Sequence, residues 1–218
     1  DLQGGQLAAM SDVGLVRQLN EDNWGWATLN DSTKLYIVAD GMGGHDRGEV
    51  ASEMAVDTLC MEAANKLSGR EHIPIDELQG ILDTSFQNSN NSIKDMGEKV
   101  GSDMGTTMVA AMVVNDRTAL VANVGDSRAY LIRQSSLHQI SKDHSLVAKM
   151  VEQNQLTEEE PRNHPHSNSL LRTVGTDRNV KIDIFRVNLQ SQDTLLLCSD
   201  GLWGEVEDET IENIVNRY

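Results

Sequence analysis

Residues 35–44 read Leu-Tyr-Ile-Val-Ala-Asp-Gly-Met-Gly-Gly, residues 119–128 Ala-Leu-Val-Ala-Asn-Val-Gly-Asp-Ser-Arg, and residues 194–203 Thr-Leu-Leu-Leu-Cys-Ser-Asp-Gly-Leu-Trp. Each is a short apolar run that ends in an aspartate flanked by glycine or serine. Runs of this length bounded by turn residues predict strands. Met108–Val114, Ala129–Ile132 and Val180–Leu189 read the same way. Several of these runs lie only a few residues apart. That is too close for a parallel crossover, so neighbours are expected to pair as antiparallel hairpins.

Helical spacing appears elsewhere. Ala51, Ala55, Leu59, Ala63 and Leu67 recur every fourth position in residues 50–67. Leu78, Ile81, Leu82, Phe86, Ile93 and Met96 keep near-helical spacing in residues 75–97, and Pro74 suits that helix's first turn. Residues 145–160 read as shorter helical pieces, followed by a loop. Strands segregated from paired helices predict α+β layers.

Composition narrows the function. The 218 residues carry 34 Asp and Glu against 18 Lys and Arg, a net charge of −16. No basic cluster exists to displace counterions from nucleic-acid phosphates, so nucleic acid and anionic membrane surfaces are not expected partners. No apolar run is long enough for a membrane helix, and no leader is visible. Cys60 and Cys198 stand far apart and outside any CxxC pair. They read as free thiols in a reducing cytoplasm, with Cys198 buried in its apolar run.

Asp40, Asp126 and Asp200 share one placement at strand ends. Taken singly, Asp-Gly after a strand is turn chemistry. Three together suggest converging carboxylates, costly unless a cation lies between them. Hard oxygen donors without cysteine or paired histidine favour Mg²⁺ or Mn²⁺. Glu21 and Asp22 form a fourth acidic site, and Arg17 offers a planar fork for phosphate oxygens. In isolation, residues 17–22 read as a salt-bridged surface turn.

Seven stretches in order carry a resemblance. They are Arg17-Gln18-Leu19-Asn20-Glu21-Asp22, Val38 to His45, Met104-Gly105-Thr106-Thr107, Asn123 to Arg128, Lys142-Asp143-His144-Ser145, Leu171 to Gly175, and Cys198 to Trp203. On them the chain resembles the metal-dependent type 2C Ser/Thr protein phosphatases in their bacterial form. The resemblance implies one catalytic domain over residues 1–218, a four-layer αββα sandwich with two antiparallel sheets face to face and helices outside. It implies two Mn²⁺ or Mg²⁺ ions and a third, weaker one. Asp40 would bridge the two ions, the Gly41 carbonyl and Asp200 would bind, Asp126 would hold the third, and Glu21 and Asp22 would hold metal-bound waters. Arg17 would bind phosphate. A metal-bridging hydroxide would attack phosphoserine or phosphothreonine, and Ser127, Ser145 and Ser199 would be structural.

The general acid does not carry over by position, because Met42 follows the Asp40-Gly41 pair. His45 and a metal-bound water are rival candidates. His144 reads as a core or supporting histidine. Residues 145–175 correspond to a flap beside the site, with His164 and His166 as surface histidines. The family's later Asp-Asn pair, a metal ligand, has no counterpart after residue 200. The expectation is a C-terminally incomplete domain, with Glu205, Glu207 and Asp208 left to substitute. A missing strand would leave an edge open to pairing within a dimer. The expected partners are phosphoproteins, the substrates of bacterial Ser/Thr kinases. The alternative is a catalytically impaired phosphatase-like binding or regulatory module.

Overall fold

The computed structural model describes residues 6–43, 47–157, 160 and 164–217. In chain order the elements are β1 (Asp22–Asn30), β2 (Thr33–Met42), α1 (Arg47–Leu67), α2 (Ile75–Val100), β3 (Gly105–Thr106), β4 (Met108–Val114) and β5 (Thr118–Val124). Then come β6 (Arg128–Arg133), β7 (Ser136–Gln139), α3 (Leu146–Glu152), β8 (Asp183–Asn188), β9 (Thr194–Cys198), α4 (Asp200–Trp203) and α5 (Asp208–Val215). Two antiparallel sheets result. One runs β1-β2-β4-β5-β8 with β3 beside β2, and the other runs β7-β6-β9.

Side-chain alternation builds the layers. On β4, Met108, Ala110 and Met112 face a core that contains Ala55 and Leu59 of α1 and Leu82 and Phe86 of α2. Val109, Ala111 and Val113 face the opposite way, toward Ala129 of β6 and Leu195 and Leu197 of β9. A strand buried on both faces needs apolar residues at every position, which is why Met108–Val114 reads as an unbroken run. The second sheet repeats the device. Tyr130, Ile132 and Cys198 turn outward against Leu202, Trp203 and Val215. Three cores therefore separate four layers, the αββα order expected from the resemblance.

Two tight turns follow from local chemistry. Gln134-Ser135, the two-residue loop between β6 and β7, and Asn115-Asp116, the first two of the three residues between β4 and β5, all have positive φ, the geometry that lets a short loop match the twist of its strands. The expected hairpin between β5 and β6 does not form. β5 pairs with β4 and β8, and β6 pairs with β7 and β9. The three residues between them carry the chain from one sheet to the other. The expected strand at Val180–Leu189 is shorter, Asp183–Asn188. Pro74 caps α2 rather than lying inside its first turn. β1 was not legible as a strand. Its sequence, Asp-Asn-Trp-Gly-Trp-Ala-Thr-Leu-Asn, holds asparagines and a glycine with poor strand preference. Pairing with β2 imposes the extended form.

Candidate metal centre and active-site cleft

β1 and β2 set the first two carboxylates face to face. Their register places Asp22 directly opposite Asp40. Like charges at cross-strand partners destabilise a ladder, so this pairing calls for a cation. Asp40 lies inside β2 rather than in a turn after it, because the strand continues to Met42 by pairing with β3. Gly41 permits this. A Cβ there would lie 2.0 Å from the Gly48 carbonyl oxygen and 2.8 Å from that of Glu21. The end of β2 thus lies against the start of α1. The Gly41 N–H donates to the Glu21 carbonyl at 3.1 Å. That same carbonyl accepts from the Ser52 hydroxyl of α1 at 2.6 Å.

Thr107 fastens the Asp40 peptide on both sides. Its Oγ1 accepts from the Asp40 N–H at 3.0 Å, and its own N–H donates to the Asp40 carbonyl at 2.8 Å. The Thr106 hydroxyl donates to that carbonyl as well, at 2.8 Å. Thr107 Oγ1 also lies 2.6 Å from Ser127 Oγ. Asp126 sits in the sheet-to-sheet crossing between Gly125 and Ser127. Gly125 has φ +105, and a Cβ on it would come within 2.6 Å of the Thr107 Cβ. Only glycine fits both the left-handed backbone and the close approach.

Asp200 opens α4, immediately after β9. Its neighbour Ser199 donates through Oγ to Asp22 Oδ2 at 2.6 Å. Trp203 Nε1 donates to the Asp126 carbonyl at 3.0 Å. The Arg128 guanidinium stacks on the Trp203 ring, 3.6 Å from its centroid. Arg128 also grips Asp143 through Nε at 3.1 Å and Nη2 at 2.7 Å. The turn that carries Asp200 is therefore joined to those that carry Asp22 and Asp126.

The electrostatics follow from convergence. Burial, then repulsion from Asp22, Asp200 and Asp126, pushes Asp40 up to about 9, and its carboxyl is in hydrogen-bond contact with that of Asp200. Burial, then Asp200 and Asp143, pushes Asp126 up to about 7. Carboxyls this strained share protons in the absence of a cation. The donors are all hard oxygens. Among the described residues, no group of three or more such side chains closes on one point as a metal site by itself. Hard oxygen donors are the ligands that Mg²⁺ and Mn²⁺ take. The residues present fit such ions.

A cleft of about 1180 Å³ opens over these groups. Its walls include Glu21, Asp22, Asp40, Asp126 and Asp200, with Arg17 among them. The Arg17 side chain is 63% exposed and lies 3.5 Å from Glu21, so its guanidinium stays available at the mouth. The far wall includes Ser145, Val147, Ala148 and Val151. His45 lies outside the described residues. The His164 and His166 rings are tilted against each other, 5.6 Å between centroids, and neither is among the cleft's lining residues. Glu205, Glu207 and Asp208 do line it. Ser127 and Ser199 hold neighbouring polar groups, and Ser145 caps α3 by accepting from Ala148 N at 3.2 Å. Cys198 is buried and free, its thiol pushed up to about 12 chiefly by burial.

Three supporting contacts had no single-residue signal in the sequence: Ser199 on Asp22, Trp203 on Asp126, and Thr107 on Asp40. Each joins residues far apart in the chain, and only the quoted motifs hinted at them.

Comparison with known proteins finds relatives in sequence and in structure. A family model described as Protein phosphatase 2C matches residues 16–217. The serine/threonine phosphatase stp of Listeria welshimeri is 41% identical over 207 residues, which cover 94% of this chain and 81% of that protein. Among solved structures, the Streptococcus agalactiae serine/threonine phosphatase superposes with a TM-score of 0.85 at 33% identity, covering 94% of this chain and 84% of that one. The catalytic domain of the phosphatase PstP in complex with two manganese ions gives a TM-score of 0.81 at 32% identity, covering 96% and 83%.

Proposed function

This chain belongs to the protein phosphatase 2C family, and from that premise we propose that it hydrolyses phosphoserine and phosphothreonine in proteins with the help of divalent cations. The observation that carries the reading is the cross-strand pair Asp22 and Asp40, with Asp126 and Asp200 raising the charge further. Bound divalent cations would lower the pKa of water toward neutrality and neutralise charge on the transferring phosphoryl group. Mn²⁺ or Mg²⁺ suits the donor set, two ions with a third at Asp126.

We assign the roles of the chain's own residues on the pattern of the family. Asp40, which lies among the other carboxylates, would hold the cations together with the Gly41 carbonyl and Asp200. Glu21 and Asp22 would accept hydrogen bonds from cation-bound waters and hold their orientation, with Asp22 itself fixed by Ser199. Arg17 reaches from the mouth to two phosphoryl oxygens and orients phosphorus for in-line attack. His45, which follows Asp40 in the sequence and lies outside the described residues, and a metal-bound water are the two candidates for proton donor to the leaving serine or threonine oxygen. Residues 145–175 correspond to the family's flap, and the substrate protein beyond its phosphate would rest near Ser145, Val147, Ala148 and Val151, which line the cleft. Its substrates are products of Ser/Thr kinases, and we place the reaction in the cytoplasm on the strength of two free thiols. Among the described residues no helix is long and apolar enough to cross a membrane.

The test is hydrolysis of a phosphothreonine peptide and of a small aryl phosphate, with Mn²⁺ and then with excess chelator. Turnover that requires Mn²⁺ and disappears on chelation is expected. Turnover that persists in chelator, or none from a folded chain with Mn²⁺, would overturn the proposal.

A further inference from the structure

His144 is 8% exposed and lies outside the carboxylate cluster, yet it grips the peptide next to Asp126. The Gly125 N–H donates to His144 Nδ1 at 3.1 Å. The His144 N–H donates to the Gly125 carbonyl at 2.9 Å. One residue thus holds both polar groups of Gly125, which sits at φ +105. The tautomer follows from these contacts. Nδ1 accepts, so in the neutral ring the proton is on Nε2. Nε2 lies 3.1 Å from Asp183 Oδ2, to which it donates. Arg172 Nη1 lies 2.9 Å from the same nitrogen. With a proton on Nε2 that contact is donor against donor, and Arg172 is held instead by Asp183 Oδ1 at 3.1 Å and the Lys181 carbonyl at 3.1 Å.

We infer that His144, locked in its Nε2–H form by Asp183, is a positioning residue that aims the Asp126 carboxylate into the cleft. It touches no reacting atom. Its ring holds Gly125 in the left-handed conformation from one side while Thr107 packs against Gly125 from the other. Without the ring acceptor, the Gly125 N–H is a buried donor with no partner, while the Gly125 carbonyl keeps the His144 N–H at 2.9 Å and Asn123 Nδ2 at 3.2 Å. The Gly125 N–H must then shift toward another acceptor, and the Asp126 carboxylate, on the next residue, shifts with it. His144 is also where the 145–171 segment is rooted, since the Leu171 N–H donates to the His144 carbonyl at 2.8 Å. Partners that orient a metal-binding carboxylate from behind typically change metal affinity by about 10–100-fold when removed.

The inference rests on the proposed reading of Asp126 as a cation ligand, and the test separates the two. Mn²⁺ is titrated into the metal-free chain by calorimetry, with occupancy followed by electron paramagnetic resonance. Asp126→Asn identifies the class of Mn²⁺ sites that depends on Asp126. His144→Leu is expected to weaken that same class by about 10–100-fold and leave the others. His144→Asn, whose Oδ1 takes the place of Nδ1, is expected to recover most of the loss. Asp183→Ala releases the tautomer and is expected to weaken the same class, which decides the matter should His144→Leu fail to fold. ¹⁵N NMR of the His144 ring should show Nε2 protonated and Nδ1 bare. If Asp126→Asn alters no class, the ligand reading fails and this inference with it. If Asp126→Asn weakens a class while His144→Leu and Asp183→Ala leave it intact, the role of His144 alone is refuted. A loss of all classes together, unrelieved by His144→Asn, would mean a general folding role and refute it too.

Discussion

Thr107→Val removes a single hydroxyl from the strap between the Asp40 strand and the Asp126 crossing, with little change of shape. Thr107 is 2% exposed and buried among other groups, so water cannot replace what is lost. The Asp40 N–H, bonded at 3.0 Å, is left without an acceptor, at a cost of about 1–3 kcal/mol. The 2.6 Å bond to Ser127 adds about 1 kcal/mol, reduced because that hydroxyl can rotate. A buried methyl in place of the hydroxyl returns about 1 kcal/mol. The net loss is about 2 kcal/mol, which a urea slope of about 2 kcal/mol per molar converts to a midpoint lower by about 1 M. Thr107→Ser keeps the hydroxyl and loses only a methyl, about 1 kcal/mol. Urea denaturation of the metal-free variants, followed by tryptophan fluorescence, measures both. A Thr107→Val stability within about 0.5 kcal/mol of the parent would refute the reasoning. So would a Thr107→Ser variant as unstable as Thr107→Val, because the hydroxyl would then not be what holds the strap.

The pH dependence of the metal-free protein has a definite sign. Asp126 at about 7 and Asp40 at about 9 lie above the ordinary value of 3.8, so the native state keeps protons that the unfolded chain has released, and stability falls as pH rises toward those values. His144, lowered chiefly by burial, has the opposite slope, but that ends near its ordinary 6.5. Between pH 7 and 8.5, denaturation in chelator should therefore show falling stability, and Mn²⁺ should remove the fall; a rise with pH in chelator would contradict it. Gly125→Ala puts a Cβ 2.6 Å from the Thr107 Cβ at φ +105, and a loss of about 3 kcal/mol or more is expected from overpacking and backbone strain together. A thermal melt matching the parent would show that the crossing relaxes freely.

Much of the architecture was legible because period and composition are local properties. Met108–Val114 is a strand to the residue, since a strand buried on both faces has to be apolar throughout, and Thr194–Cys198 matches its bounds as a partly buried apolar run closed by Ser199-Asp200-Gly201. The two long helices show as four-residue spacing because their inward faces are continuous stripes. Asp40, Asp126 and Asp200 stood out because a carboxylate beside glycine or serine after an apolar run is a local pattern. β1 did not stand out, since its strand form comes from its partner and not from its own residues.

What the sequence by itself determined is where the apolar strands and the two long helices lie, and which side chains carry negative charge at their ends. Only the tertiary structure decided which strands share a sheet. β5 and β6 sit three residues apart, and nothing local reveals that Gly125 turns the chain across to the second sheet instead of back along the first. Tertiary pairing likewise set Asp22 against Asp40, Ser199 on Asp22 and His144 on Gly125. These contacts span tens to more than a hundred residues. Their energies depend on distance and exclusion of water, and neither exists until the layers have closed.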